Sequence, residues 1–268
     1  MKQLLSIEYS KLRKLTSLKV ILLIYMALVP LWMLFLGYIY DMNGQLSKML
    51  LDRESLYEFP GVWGTITYSA SFFNLLAAVV IVIITCNEIH FRTMRQNVID
   101  GLTKQQVILS KFFVIICIAA FITLYTALLG LIIGLCNPGA SGVFDGISAV
   151  PTYFLQTIGY FSFAFFFAVL VKRPALSIIF FIVSFFIETI IGWIIRGTVS
   201  EVPSQFFPLT SFSQLTPDAF FGKINEARIQ ATGVIPWVMP VWGQLLLASF
   251  YILLFFAIAY SVLKRRDL

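Results

Sequence analysis

Apolar and polar positions do not mix evenly along this chain; long uncharged runs are separated by short polar segments. Five runs carry no charge at all: Val20–Tyr40, Gly61–Asn87, Phe112–Pro138, Gly146–Val171 and Val234–Leu263. A sixth, Pro174–Ile195, is interrupted only by Glu188. About 20 helical residues cross the roughly 30 Å of hydrocarbon in a bilayer, and each run reaches that length. Barrel strands would instead alternate apolar and polar over about 10 residues, a pattern these runs lack. The expected fold is therefore an all-α integral membrane protein. Its six transmembrane helices are expected at about 20–40, 63–86, 112–136, 150–171, 174–195 and 241–263.

The segments between the runs have patterns of their own. In residues 1–19, Leu4, Leu5, Leu12 and Leu15 gather at helical spacing while Glu8, Lys11 and Lys14 point elsewhere. A basic amphipathic helix of this kind lies in the headgroup plane. Between the second and third runs, Phe91, Met94, Val98 and Leu102 share one narrow helical face, with Arg92, Gln96 and Asp100 directed away. The spacing predicts that span two continues as a helix to Asp100-Gly101, where glycine terminates it. Thr103 then opens the next helix, and Gln106 completes a capping box. This two-helix knuckle, residues 88–104, presents an apolar stripe that something must cover: the lipid interface, the N-terminal helix or a separate subunit. The segment 200–240 is too apolar for a free loop and too broken by proline for a span. It reads as short interfacial or re-entrant helices buried against protein.

Charge sets the expected orientation. With the N-terminus in the cytoplasm, inside segments hold 14 Lys and Arg against five outside, the last of the inside ones in the basic tail 264–268. Both termini are then cytoplasmic in a prokaryotic inner or plasma membrane. The composition agrees, at 59% hydrophobic and 12% charged residues, with a mean hydropathy of +0.90. The net charge of +6 follows from topology and implies no nucleic-acid partner. The first run lacks the small-residue cleavage site of a signal peptide. Cys86, Cys117 and Cys136 sit in or beside spans at spacings that suggest neither a disulfide nor a metal site.

Candidate chemistry is sparse. No phosphate-binding loop, H-E-x-x-H, G-x-S-x-G or C-x-x-C motif occurs, and no catalytic or metal-binding residues are expected. The lone histidine, His90, reads as an interfacial polar residue. Glu188 lies about 20 Å into its span at 1.5 Å per residue. An acid at that depth faces a pathway, a partner or water, as a gating residue or as a paired carboxyl that fixes packing. Arg196, about 80° further round the helix, is its candidate partner.

In its order of features the chain resembles the membrane (permease) subunits of type-2 ATP-binding-cassette exporters. The shared features are six spans, an interfacial N-terminal helix, and an acid closing span two followed by a set of short motifs. Here these are Glu88, Thr93, the apolar face Val98 to Leu102, the pair Thr103-Lys104, and Lys111. Arg92 stands where the family often has glycine, and Gly101 serves in a turn that commonly holds proline. The resemblance implies that the knuckle is a coupling helix docking on a separate ATPase subunit. Its contact residues would be Glu88, Phe91, Thr93, Met94, Val98, Leu102, Thr103 and Lys104. It also implies a second permease copy or paralogue, ATP and magnesium held only by the ATPase, and no enzymatic activity in this chain. The export cargo would be amphipathic, lipid-like or a peptide. The competing expectation is a channel or secondary transporter using Glu188 as its intramembrane polar site.

Overall fold

The computed structural model describes residues 8, 10–13, 15–42, 56–137, 142–198, 202–216, 229 and 237–265. Residues 1–7, 9 and 14 of the N-terminal helix expected over 1–19, the greater part of 217–236 and the end of the basic tail lie outside the described residues. Six long helices make up the bulk of the structure: α1 (Thr16–Met42), α2 (Gly61–His90), α4 (Lys104–Cys136), α5 (Ala149–Val171), α6 (Pro174–Thr198) and α8 (Val241–Arg265). Each is long and apolar enough to cross a membrane. Two short helices are also described, α3 (Thr93–Ile99) after α2 and α7 (Pro208–Ser213) after α6, with a 3-10 turn at Pro203–Phe206.

Several helices outrun the apolar runs that announced them. α1 starts at Thr16 rather than Val20, and α4 at Lys104 rather than Phe112. Backbone hydrogen bonding does not stop where side chains turn polar, so hydropathy marks only the part of each helix suited to lipid.

The six long helices divide into two groups. About 61% of the apolar stretch of α2, 56% of that of α4 and 61% of that of α5 is buried, against 22% for α1, 11% for α6 and 22% for α8. α5 is the hub, packing on α2, α4, α6 and α8. Small residues allow this closeness: Ala164 and Ala168 on α5 and Ala77 and Ala78 on α2 are fully enclosed. A chain of hydrogen bonds fixes the register of the inner helices with α1. Tyr25 Oη lies 2.7 Å from Tyr153 Oη, which donates to Asn74 Oδ1 at 2.9 Å. Asn74 Nδ2 in turn donates to Thr157 Oγ1 at 3.1 Å. These polar groups are satisfied within the chain, as burial in an apolar core demands.

Candidate functional site

The helix expected to run unbroken from span two to Asp100 breaks at Phe91-Arg92. The Phe91 amide still donates to the Asn87 carbonyl, but the Arg92 amide reaches back only three residues, to Ile89. Arg92 itself adopts φ 54°, the left-handed conformation that costs an ordinary residue roughly 1–2 kcal/mol. This is the position where the resemblance noted above expects glycine, and the conformation supplies the reason. α3 then closes in a Schellman motif: the Leu102 amide donates to Asn97 and the Gly101 amide to Val98, with Gly101 at φ 101°. Both bonds of the capping box form, Gln106 N–H to Thr103 Oγ1 at 3.3 Å and Thr103 N–H to Gln106 Oε1 at 3.0 Å. Thr93 Oγ1 donates to the Glu88 carbonyl at 3.4 Å, bracing α3 against the end of α2.

The apolar stripe is split by this geometry. Met94 is buried, and Val98 and Leu102 pack half-buried against the main core. Phe91 points outward at 69% exposure, as does Ile99, which the stripe omitted. The break at Arg92 rotates α3 relative to α2, so a wheel drawn on one continuous helix puts Phe91 on the wrong side. The exposed tip of the knuckle is therefore Phe91 and Ile99, flanked by the exposed side chains of Arg92, Arg95 and Asp100.

Beneath the knuckle lies a buried cluster of charges. Lys111, on α4 and 3% exposed, sends its ammonium to the carboxylates of Glu8 and Glu88, each at 2.6 Å. Ser110 Oγ donates to Glu8 Oε1 at 3.2 Å. Lys11, partly exposed, adds longer contacts of 3.6 Å to Glu88 and 3.9 Å to Glu8. Two carboxylates thus face two ammonium groups, so the desolvated charges balance. The cluster joins three pieces of chain: the N-terminal helical residues, the end of α2 and the start of α4.

This arrangement overturns the placing of Glu8 on a solvated polar face, because Glu8 is 4% exposed. Glu8, Lys11 and Ser110 are site residues that the pattern of residues 1–19 and of span three did not reveal. Lys111 was the available signal, a cation directly before the uncharged run that starts at Phe112. Of the expected contact residues, Glu88, Thr93, Met94, Val98, Leu102, Thr103 and Lys104 come together around α3, and Phe91 stands apart at the tip. His90 is exposed and its ring lies edge-on to Phe91, with centroids 5.1 Å apart.

Glu188 lies at the other end of the bundle. Among the described residues its partner is not Arg196, whose Nε donates to Ser204 Oγ at 3.0 Å. Instead Glu188 accepts backbone N–H bonds from Leu209 at 3.0 Å and Thr210 at 2.5 Å. Nearby, a cavity of about 510 Å³ is lined by Phe206, Trp237, Met239, Trp242 and Leu246. Of the cysteines, Cys86 is buried beside Ser177, whereas Cys117 and Cys136 are exposed on the outside of the bundle.

A protein-family profile matches residues 53–268, well over half of the chain. The chain belongs to the DUF2705 family, proteins of unknown function. The DUF2705 match takes in the whole knuckle, Glu88, Lys111 and Glu188, and leaves Glu8 and Lys11 outside it. No curated protein matches the sequence.

Proposed function

We propose that this DUF2705 protein is the permease subunit of a type-2 ATP-binding-cassette exporter, with both termini in the cytoplasm. A separate ATPase subunit would dock on the knuckle, and a second permease copy or paralogue would complete the pathway. The observation that carries this reading is the knuckle itself. It is a capped, hydrogen-bonded turn with an exposed apolar tip, standing on a buried charge cluster that ties it to α2, α4 and the N-terminal helix. Force applied at Phe91 and Ile99 would pass into two of the three inner helices, because the base cannot shear without separating Lys111 from its carboxylates. Exposed apolar residues rimmed by charge are what a docking surface presents. The predominantly aromatic and aliphatic walls suit an amphipathic, lipid-like or peptide cargo.

The competing reading, a channel or secondary transporter working through Glu188, needs that carboxylate free to exchange an ion. Two backbone N–H groups occupy it, which favours the exporter.

The geometry also selects the test. Met94→Asp or Val98→Asp would damage the chain's own core, so neither would report on docking. Phe91→Asp and Ile99→Asp should leave the permease inserted and monodisperse while releasing the ATPase. If either variant retains the partner at the parent's stoichiometry, the tip is not the contact.

A further inference from the structure

Among the described residues of α6 only Ser177, Phe181 and Gly192 are buried, yet its one acid turns inward. What it meets is a folded-back segment, residues 202–216. This hook runs through the 3-10 turn Pro203–Phe206, bends at Phe207 and continues as α7. The first N–H groups of a helix have no acceptor of their own, and no side chain of the hook caps α7. Glu188 supplies what is missing from the neighbouring α6, one oxygen to Leu209 N–H and the other to Thr210 N–H.

Other contacts seat the hook against the hub. The ring of Phe212 lies where a Cβ on Gly159 would be, within 2.5 Å of its Cδ1, and it packs edge-on against Tyr160. Gln156 Nε2 donates to Thr216 Oγ1 at 2.8 Å. Tyr251 Oη donates to the Phe206 carbonyl at 2.5 Å. The seating is incomplete, however. Ser211 Oγ and Gln214 Oε1 are buried without a hydrogen-bond partner among the described residues. Such atoms oppose burial, so the docked hook is held by a few bonds rather than by a saturated core. Phe206 also walls the cavity that Trp237 and Trp242 line, so movement of the hook would change that cavity.

We propose that residues 202–216 form a gate at this end of the bundle and that Glu188 is its latch. Releasing the two N–H···carboxylate bonds lets the hook swing away from α5. In naming the hook a gate, the inference rests on the transport reading. The latch needs no ATPase, so its test is independent of that partner.

The test uses the full chain with Cys86, Cys117 and Cys136 replaced by serine, purified into lipid nanodiscs. Ser211→Cys is the reporter: Ser211 is 1% exposed and its hydroxyl has no partner among the described residues, so a thiol fits with little loss. Ser69→Cys, on α2 and equally enclosed, is a control for general loosening. The probe is a water-soluble maleimide. Glu188→Gln keeps the shape but removes the charge from the acceptor, and should raise labelling at 211 about tenfold while leaving 69 unchanged. Glu188→Ala should raise it further. A rise of less than about threefold at 211 in Glu188→Gln, or an equal rise at 69, would overturn the latch. Where Glu188→Ala does not accumulate, the isosteric Gln variant decides alone.

Discussion

Replacing Lys111 with methionine would take the close cation from Glu8 and Glu88, both almost fully buried, and leave them the longer contacts to Lys11. Breaking a buried ion group by removing one partner costs about 3–5 kcal/mol, although replacing the whole group can be neutral. Lys111→Met should therefore lower the melting temperature of the purified protein sharply. Adding Glu8→Gln and Glu88→Gln to it should recover most of the loss. A single variant as stable as the parent would mean the cluster is solvated. Arg92 makes the opposite prediction. Its left-handed backbone costs roughly 1–2 kcal/mol, and glycine's extra freedom in the unfolded chain costs about 0.5–1 kcal/mol. Arg92→Gly should then stabilise slightly, and Arg92→Val should destabilise, by thermal melting. At this scale the sequence was only partly legible. Lys111 is named only as the lysine opening span three in the resemblance, with no partner expected for it. Glu8 was not legible, because a helical wheel assigns an acid among lysines to the wet side, and only tertiary packing brings Lys111 beneath it.

Elements whose signals are local were read most accurately. The capping box at Thr103 needs only four consecutive residues, and both of its hydrogen bonds form. Thr103→Ala should cost about 1 kcal/mol and increase hydrogen exchange in the first turn of α4, with α5 unaffected. The Schellman close at Gly101 was legible for the same reason. The break at Arg92 was not, since no residue preference puts arginine in a left-handed turn; the packing on either side imposes it. Periodicity likewise proposed the stripe Phe91, Met94, Val98 and Leu102 but could not say what covers it; the chain's own core covers the last three and leaves Phe91 exposed. At the hook, Gly159→Ala places a methyl in the space of the Phe212 ring. Overpacking of this kind costs about 1–3 kcal/mol, and it should increase maleimide labelling at Ser211→Cys even with Glu188 intact. No change in that labelling would mean that the ring has room to move.

For the whole molecule, six helices long and apolar enough to span a bilayer were visible in hydropathy alone, because lipid leaves little freedom in how a chain crosses it. Their division into three inner and three outer helices was not visible, because all six runs are similarly apolar. What distinguishes the inner ones is small residues and hydrogen-bonding side chains at facing positions. Among the described residues that layout leaves the outward side of α6 and the knuckle tip exposed, one suited to lipid or a second copy, the other to a subunit in water. The exporter reading stands or falls on the second. Its most direct test is to purify the tagged chain from its native membranes in mild detergent and measure ATP hydrolysis in the preparation, with the parent beside Phe91→Asp and Ile99→Asp. A subunit carrying a phosphate-binding loop and ATPase activity should accompany the parent, and both should be lost from the tip variants while the permease stays monodisperse. A parent preparation with no nucleotide-hydrolysing subunit would contradict the exporter reading.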